Sequence, residues 1–203
     1  MRHISDSHLA ALPQPLTGVV LAGGRGSRLG GRDKGLLVKD GQAFVAHIVS
    51  ALTPQVDDCL INANRHIDEY QHFGPVISDE LAEFQGPLAG MLAAMRHCRA
   101  GWIVTLPCDG IEVADDYVAR LARALANSGQ PIAVAHDGQR LQPVHALIPC
   151  HLQASLEAFL ATGDRKIDRW YAAEGFAQAD FSDCPEIFRN INTPEQQREF
   201  KAE

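Results

Sequence analysis

Apolar residues fall into short blocks along the chain, and their spacing changes from block to block. Residues 17–22 (TGVVLA) form a continuous run, rich in β-branched side chains and ending in glycines, which predicts a strand buried on both faces. A Gly- and Arg-rich loop follows through Gly35. Phe44, Val45, Ile48, Val49 and Leu52 then recur at helical spacing, and Pro54 closes that helix. Residues 58–62 (DCLIN), 75–78 (PVIS) and 102–106 (WIVTL) predict three more strands, the last stopped by Pro107. Between them Gly86-Pro87 opens a helix with proline at its first position and an apolar stripe of Leu88, Met91, Leu92 and Met95.

The second half continues the alternation. Asp115 is placed as the N-cap of a helix whose Val118, Leu121, Ala122 and Leu125 face inward. Residues 131–135 and 141–148 read as two strands joined at Asp137-Gly138, a hairpin-turn pair. Leu152, Leu156, Phe159 and Leu160 mark a helix ended by Gly163, and Ile167, Trp170 and Tyr171 mark another. Residues 188–192 predict a last short strand, before a helix started by Thr193, Pro194 and Gln196. Strands alternating with helices, interrupted by one hairpin, predict a three-layer α/β sandwich with a mostly parallel mixed sheet. The expected organisation is a loose tail over 1–16 and one domain over 17–203.

Composition narrows the class. A chain of 203 residues with 46% hydrophobic and 21% charged residues can bury the core of one domain. Its net charge of −7 argues against a general nucleic-acid binder but leaves room for a local cationic pocket. Cys59, Cys98, Cys108, Cys150 and Cys184 are widely spaced and form no CxxC, which fits reduced thiols in a cytoplasmic protein better than a zinc site or a disulfide framework. No stretch has the roughly 20 apolar residues of a membrane span, and the first 16 lack the apolar core of a signal peptide.

In open α/β sheets, ligands bind beyond the carboxyl ends of the strands. Three polar segments stand there: the loop after Ala22, Asn62-Ala63-Asn64, and Pro107-Cys108-Asp109. The first carries glycines at 23, 24, 26, 30 and 31 and cations at Arg25, Arg28, Arg32 and Lys34. Glycines let backbone N–H groups approach an anion closely, and the cations offset phosphate charge, so the loop is suited to polyphosphate. It is neither a GxGxxG fingerprint, since Leu29 stands where the third glycine belongs, nor a P-loop, since Arg32-Asp33 follows Gly31. Asp109 is placed to hold Mg²⁺ against phosphate oxygens. Asp79 also follows a strand, where a loop role and a ligand role compete. The histidines form no HExxH, His145 reads as structural, and no basic partner makes Cys108 a nucleophile.

The first loop resembles the signature of the GT-A-like nucleotidyltransferases, LAGG-x3-R-(M/L)-G-x3-K. Within that group the chain is similar to the molybdenum cofactor guanylyltransferase family over residues ~17–200. The segments that carry the likeness are residues 17–24, 31–37 with Asp33-Lys34-Gly35, NANRH at 62–66, GPLAG at 86–90, PCD at 107–109 and NINTP at 190–194. The resemblance implies a Rossmann-like sandwich. It implies that Leu21, Ala22 and Gly23 line the guanine and ribose side, and that Gly24, Arg28 and Lys34 hold the triphosphate. Asn62 and Asp79 would contact the nucleotide, and Asp109 would ligate Mg²⁺. Gly86, Pro87, Leu88, Gly90, Asn190 and Asn192 would face the pterin. The catalytic set is then Arg28, Lys34 and Asp109.

The chain departs from the family pattern at Leu29, where methionine is commoner, and after Asp109, where Gly110-Ile111-Glu112 replaces the usual proline and brings in the Glu112 carboxylate. The implied reaction is attack by the molybdopterin phosphate on the α-phosphorus of GTP, with pyrophosphate leaving. GTP and molybdopterin, or its molybdenum-loaded form, are the implied partners, with transient contacts to other molybdenum-cofactor proteins and molybdoenzyme chaperones. A cytidylyltransferase of the same pterin, a sugar-phosphate nucleotidylyltransferase and a non-catalytic nucleotide sensor are the competing readings.

Overall fold

A computed structural model describes residues 15–24, 33–80, 86–98, 101–110 and 112–190. Seven strands form one sheet: β1 (Leu16–Leu21), β4 (Asp58–Asn62), β5 (Val76–Ile77), β6 (Trp102–Pro107), β7 (Ile132–His136), β8 (Leu141–Pro149) and β9 (Phe176–Asp180). Their order is β5-β4-β1-β6-β8-β7-β9. β8 runs antiparallel to both neighbours, and every other pairing in the sheet is parallel. β2 (Val38–Lys39) and β3 (Gln42–Ala43) form a separate small hairpin.

The helices cover both faces. α1 (Phe44–Leu52), α2 (Ile67–Tyr70) and α4 (Tyr117–Ser128) pack on one side, and α3 (Pro87–Cys98), α5 (Gln153–Ala161) and α6 (Ile167–Glu174) on the other. Alternate residues of β1 divide between the layers. Leu16 and Val20 join the α1/α4 side, and Val19 and Leu21 the α3 side. Phe44, Val45, Ile48 and Leu52 of α1 are buried, each contributing about 1.5–3 kcal/mol. Burial rather than intrinsic propensity therefore fixes this helix, which is rich in β-branched and aromatic residues.

The three-layer expectation holds, with local differences. Leu16, assigned by sequence to the tail, is buried in β1, and its N–H donates to Asp57 Oδ2 at 2.8 Å. The N-cap of α4 is Asp116, not Asp115, and its carboxylate accepts from Arg120 instead of capping the helix. Phe188 ends a 3-10 turn (Pro185–Phe188), and residues 189–190 are irregular, so the expected strand at 188–192 is not present among the described residues. The helix expected after Thr193 lies outside them. β9 was not anticipated.

The chain winds from β1 through α1 to β4 on one side of β1, and through α3 to β6 on the other. Strand order therefore reverses at β1. The carboxyl ends beside it are level, with Leu21 in register with both Asn62 and Pro107. A crevice at such a reversal is where ligands of open α/β sheets bind.

Candidate active site

The carboxyl ends of β1, β4, β5 and β6 deliver the polar residues that the sequence singles out. Backbone bonds carry the sheet past its strand ends. Ala22 N–H donates to Asn62 O at 2.8 Å, Cys108 N–H to Leu21 O at 3.1 Å, and Ala63 N–H to Ile77 O at 2.9 Å. Ala22, Ala63 and Cys108, the residues just past β1, β4 and β6, are thereby tied to their neighbours.

At the β1/β6 side, Lys34 Nζ donates to Asp109 Oδ2 at 3.0 Å. Lys34 starts a 3-10 turn (Lys34–Leu36), and Asp109 lies in the turn after β6. Their side chains are 24% and 16% exposed, so the pair faces a cleft rather than bulk solvent. Asp109 Oδ1 is buried and has no hydrogen-bond partner among the described residues. A buried carboxylate oxygen with spare lone pairs, beside one cation, suits a metal ion that takes its remaining ligands from water and substrate. No group of three or more His, Cys, Asp or Glu able to hold a metal occurs among the described residues, so Asp109 stands as a single carboxylate of that kind. Glu112 is exposed.

At the β4/β5 side, Asp79 is held by two amides. Asn62 Nδ2 donates to its Oδ1 at 2.9 Å and Asn64 Nδ2 to its Oδ2 at 2.7 Å, while the Asp79 N–H donates to Asn64 Oδ1 at 2.8 Å. Gly23 lies against this cluster, and Gly90 closes it from α3. A Cβ on Gly90 would stand 2.3 Å from Asn62 Oδ1 and 2.8 Å from Leu21 Cδ2, so only glycine lets α3 come this close. Gly90 therefore meets Asn62 directly.

The remaining expected residues divide. Leu21 and Ala22 are buried at the end of β1, and Gly24 O accepts from Arg65 Nη2 at 3.2 Å. Gly86 and Pro87 open α3 at the cleft, whereas the Leu88 side chain is fully buried in the core beneath that helix and presents nothing to a substrate. Asn190 is exposed, next to a segment whose carbonyls approach Gly110. Arg25, Arg28, Arg32 and Asn192 lie outside the described residues. Sequence reasoning missed the roles of Asn64, Asp33, Arg65 and Tyr70. Asn64 carried a signal, since it follows the same strand end as Asn62; Tyr70 looks like any core aromatic.

Two neighbouring groups are unsuited to acid–base or nucleophilic work. Burial, followed by the Asp109 and Asp33 carboxylates, pushes the Cys108 thiol well above its ordinary value, so it stays protonated. Burial holds the His145 imidazole down to about 3, and its ring packs against Tyr117 and Phe188. Among the described residues the cleft thus offers a fixed cation, a carboxylate with an open oxygen, amide groups and glycines, and no general-base dyad.

The sequence profile of the MobA-like NTP transferase domain matches residues 18–179, spanning every strand of the sheet and both sides of this cleft. The chain belongs to that family. As a MobA-like transferase it is 48% identical over 186 residues to a molybdenum cofactor guanylyltransferase of Shewanella sp. (strain MR-4), covering 91% of this chain and 94% of that protein. Among solved structures, the Archaeoglobus fulgidus molybdopterin-guanine dinucleotide biosynthesis protein A superposes with a TM-score of 0.75 at 20% identity, covering 92% and 97% of the two chains. A Mycobacterium tuberculosis H37Rv protein solved as a complex with manganese gives a TM-score of 0.61 at 15% identity, covering 93% and 99%. These two structural likenesses carry the fold. No helix among the described residues of this MobA-like transferase is long and apolar enough to cross a membrane.

Proposed function

We propose that this MobA-like transferase moves GMP from GTP onto the phosphate of molybdopterin, releasing pyrophosphate, in the making of the molybdenum cofactor. The observation that carries this reading is the Lys34–Asp109 pair at the β1 reversal, with one Asp109 oxygen left open. The name of the Shewanella relative supports the choice of substrates.

The acceptor phosphate is already anionic near neutral pH, so the reaction needs no strong base. It needs two anions held in line and their charge offset. Lys34 supplies a positive charge for the triphosphate and the departing pyrophosphate. Gly23 and Gly24 let the chain approach the nucleotide closely, with Arg28 as a second cation. Asn62 and Asp79, stiffened by Asn64, face the nucleoside; the remaining lone pairs of the Asp79 carboxylate suit the N–H donors of guanine. Gly86, Pro87, Gly90, Asn190 and Asn192 would face the pterin. Asp109 would hold Mg²⁺, which when bound neutralises phosphate charge and orients the transferring group. A cytoplasmic location and transient contacts with other molybdenum-cofactor proteins and molybdoenzyme chaperones belong to the same reading.

The test is pyrophosphate release with each of the four nucleoside triphosphates, with and without molybdopterin, in Mg²⁺. Release with GTP only when molybdopterin is present is expected. Preference for CTP, or for a sugar phosphate as acceptor, would transfer the protein to a rival class, and nucleotide binding without turnover would make it a sensor.

A further inference from the structure

The seat of Lys34 is held from behind. Asp33 stands where an aspartate ordinarily caps the turn that follows, on extended backbone (φ −77°, ψ 128°), yet its side chain makes no capping bond. The carboxylate turns inward instead, with its side chain 4% exposed. Tyr70 Oη donates to its Oδ1 at 2.5 Å, and Arg65 Nη2 lies 3.6 Å from its Oδ2. The same Arg65 nitrogen donates to Gly24 O at 3.2 Å, so one guanidinium spans Asp33 and the start of the glycine loop. Burying a carboxylate is unfavourable unless it is paired and hydrogen-bonded, and here both conditions are met immediately before the lysine of the cleft.

Tyr70 also clasps the turn physically. It is fully buried at the end of α2, and a Cβ on Gly35 would lie 2.6 Å from its hydroxyl and 3.2 Å from the Cβ of Cys108. The Lys34–Leu36 turn is thus squeezed between Tyr70 and the residue preceding Asp109. Within the turn, Leu36 N–H donates to Asp33 O at 3.2 Å and Leu37 N–H to Lys34 O at 3.1 Å. A lysine has a long flexible stem, so the position of its Nζ depends on how firmly its backbone is held. His66, at φ 52°, bends the chain between Arg65 and α2, which brings both partners of Asp33 from one short segment.

We propose that Tyr70, acting through Asp33, is a positioning residue for Lys34, and that Arg65 ties Gly24 to the same anchor. The inference rests on the reading of Lys34 as the cation for triphosphate. It accounts for a buried carboxylate that neither caps its turn nor faces the cleft.

The experiment is Tyr70→Phe, which keeps the ring and removes the donor, in steady-state pyrophosphate release. A fall in kcat of about tenfold is expected, with KM for GTP moving less than about threefold, because misplacement acts on the transferring geometry. Tyr70→Phe with Asp33→Asn should be no slower than Asp33→Asn alone, since both remove one link. Trp170→Phe, which loses the bond to Ser155 in the opposite layer, should keep wild-type kcat. A readout independent of turnover is acetylation of Lys34 by an N-hydroxysuccinimide ester, mapped by mass spectrometry against Lys166; the ratio should rise severalfold in Tyr70→Phe. Wild-type kcat, additive losses in the double variant, or an unchanged Lys34 ratio in folded protein would overturn the proposal. Should Tyr70→Phe fail to fold, Asp33→Asn carries the same kcat and labelling comparisons. Should the wild type release no pyrophosphate with GTP and molybdopterin, the functional reading falls, while the labelling ratio still decides the positioning role.

Discussion

At Lys34, Asp109 and Gly90 the consequences of single atoms can be stated. Lys34→Ala removes the cation facing Asp109 and leaves that carboxylate's charge uncompensated. Its side chain is partly exposed, so the fold should survive, and turnover should fall by roughly 10²-fold or more, read as kcat at saturating GTP. Asp109→Asn keeps the shape and removes the charge that would hold a divalent ion. Activity should be lost across a Mg²⁺ titration, and an unchanged Mg²⁺ dependence would take Asp109 out of the metal role. Gly90→Ala drives a methyl into Asn62 Oδ1 and hence into the bond from Asn62 to Asp79. It should cost about 1–3 kcal/mol in stability and raise KM for GTP more than it lowers kcat, as checked by a urea titration alongside kinetics.

At the level of elements, α4 shows how a missing local signal is supplied from elsewhere. Asp116 occupies the cap position but is engaged by Arg120, which also bonds the Asp183 carboxylate at 2.5 Å. The cap comes from Gln55 instead. Its Oε1 accepts from Val118 N–H at 3.0 Å, and its Nε2 donates to Ala114 O at 2.9 Å and Ala51 O at 3.1 Å. One amide thus joins the end of α1 to the start of α4. Gln55→Ala should lower stability by about 1–2 kcal/mol with an unchanged urea m-value and wild-type kcat. Such a cap cannot be read from a neighbouring residue, and this is why Asp115 was the natural but mistaken choice. β9 escaped for another reason. Its buried positions are Ala177 and Ala179, too small to raise a hydrophobic alternation, and its partner β7 is more than 40 residues earlier. The runs in β1, β4 and β6 were legible because their central residues are mainly apolar and buried, with Thr17 and Thr105 as the buried polar residues inside them and Asn62 at the end of β4.

For the molecule as a whole, the outline of the site was legible wherever a polar residue directly follows a buried strand. Lys34, Asn62, Asp79 and Asp109 all meet that description or share a motif with one that does. Tyr70 and Arg65 do not: they reach Asp33 and Gly24 across sequence separations of 37 and 41, through contacts no local pattern announces. Global stability carries a pH signature of its own. Burial depresses His145 from an ordinary value of 6.5 to about 3, so the folded protein keeps it neutral while the unfolded chain takes up a proton. Its contribution is fully present above pH 6.5 and is lost as pH falls towards 3, at up to about 1.4 kcal/mol per pH unit. Denaturation curves between pH 7 and 5 should show this decline, and His145→Asn should flatten it.

The pairing of β1 has a bearing on how the protein is made. Its two neighbours begin at residues 58 and 102, and both lie parallel to it, so neither can reach it by a simple hairpin. A chain leaving the ribosome therefore carries LTGVVL as an unpartnered apolar segment until β4 is out, and with one open edge until β6 follows. During that interval the segment is a template for pairing with other nascent chains, and a ligand of the cleft cannot protect it, because Lys34, Asn62 and Asp109 come together only once both neighbours have docked.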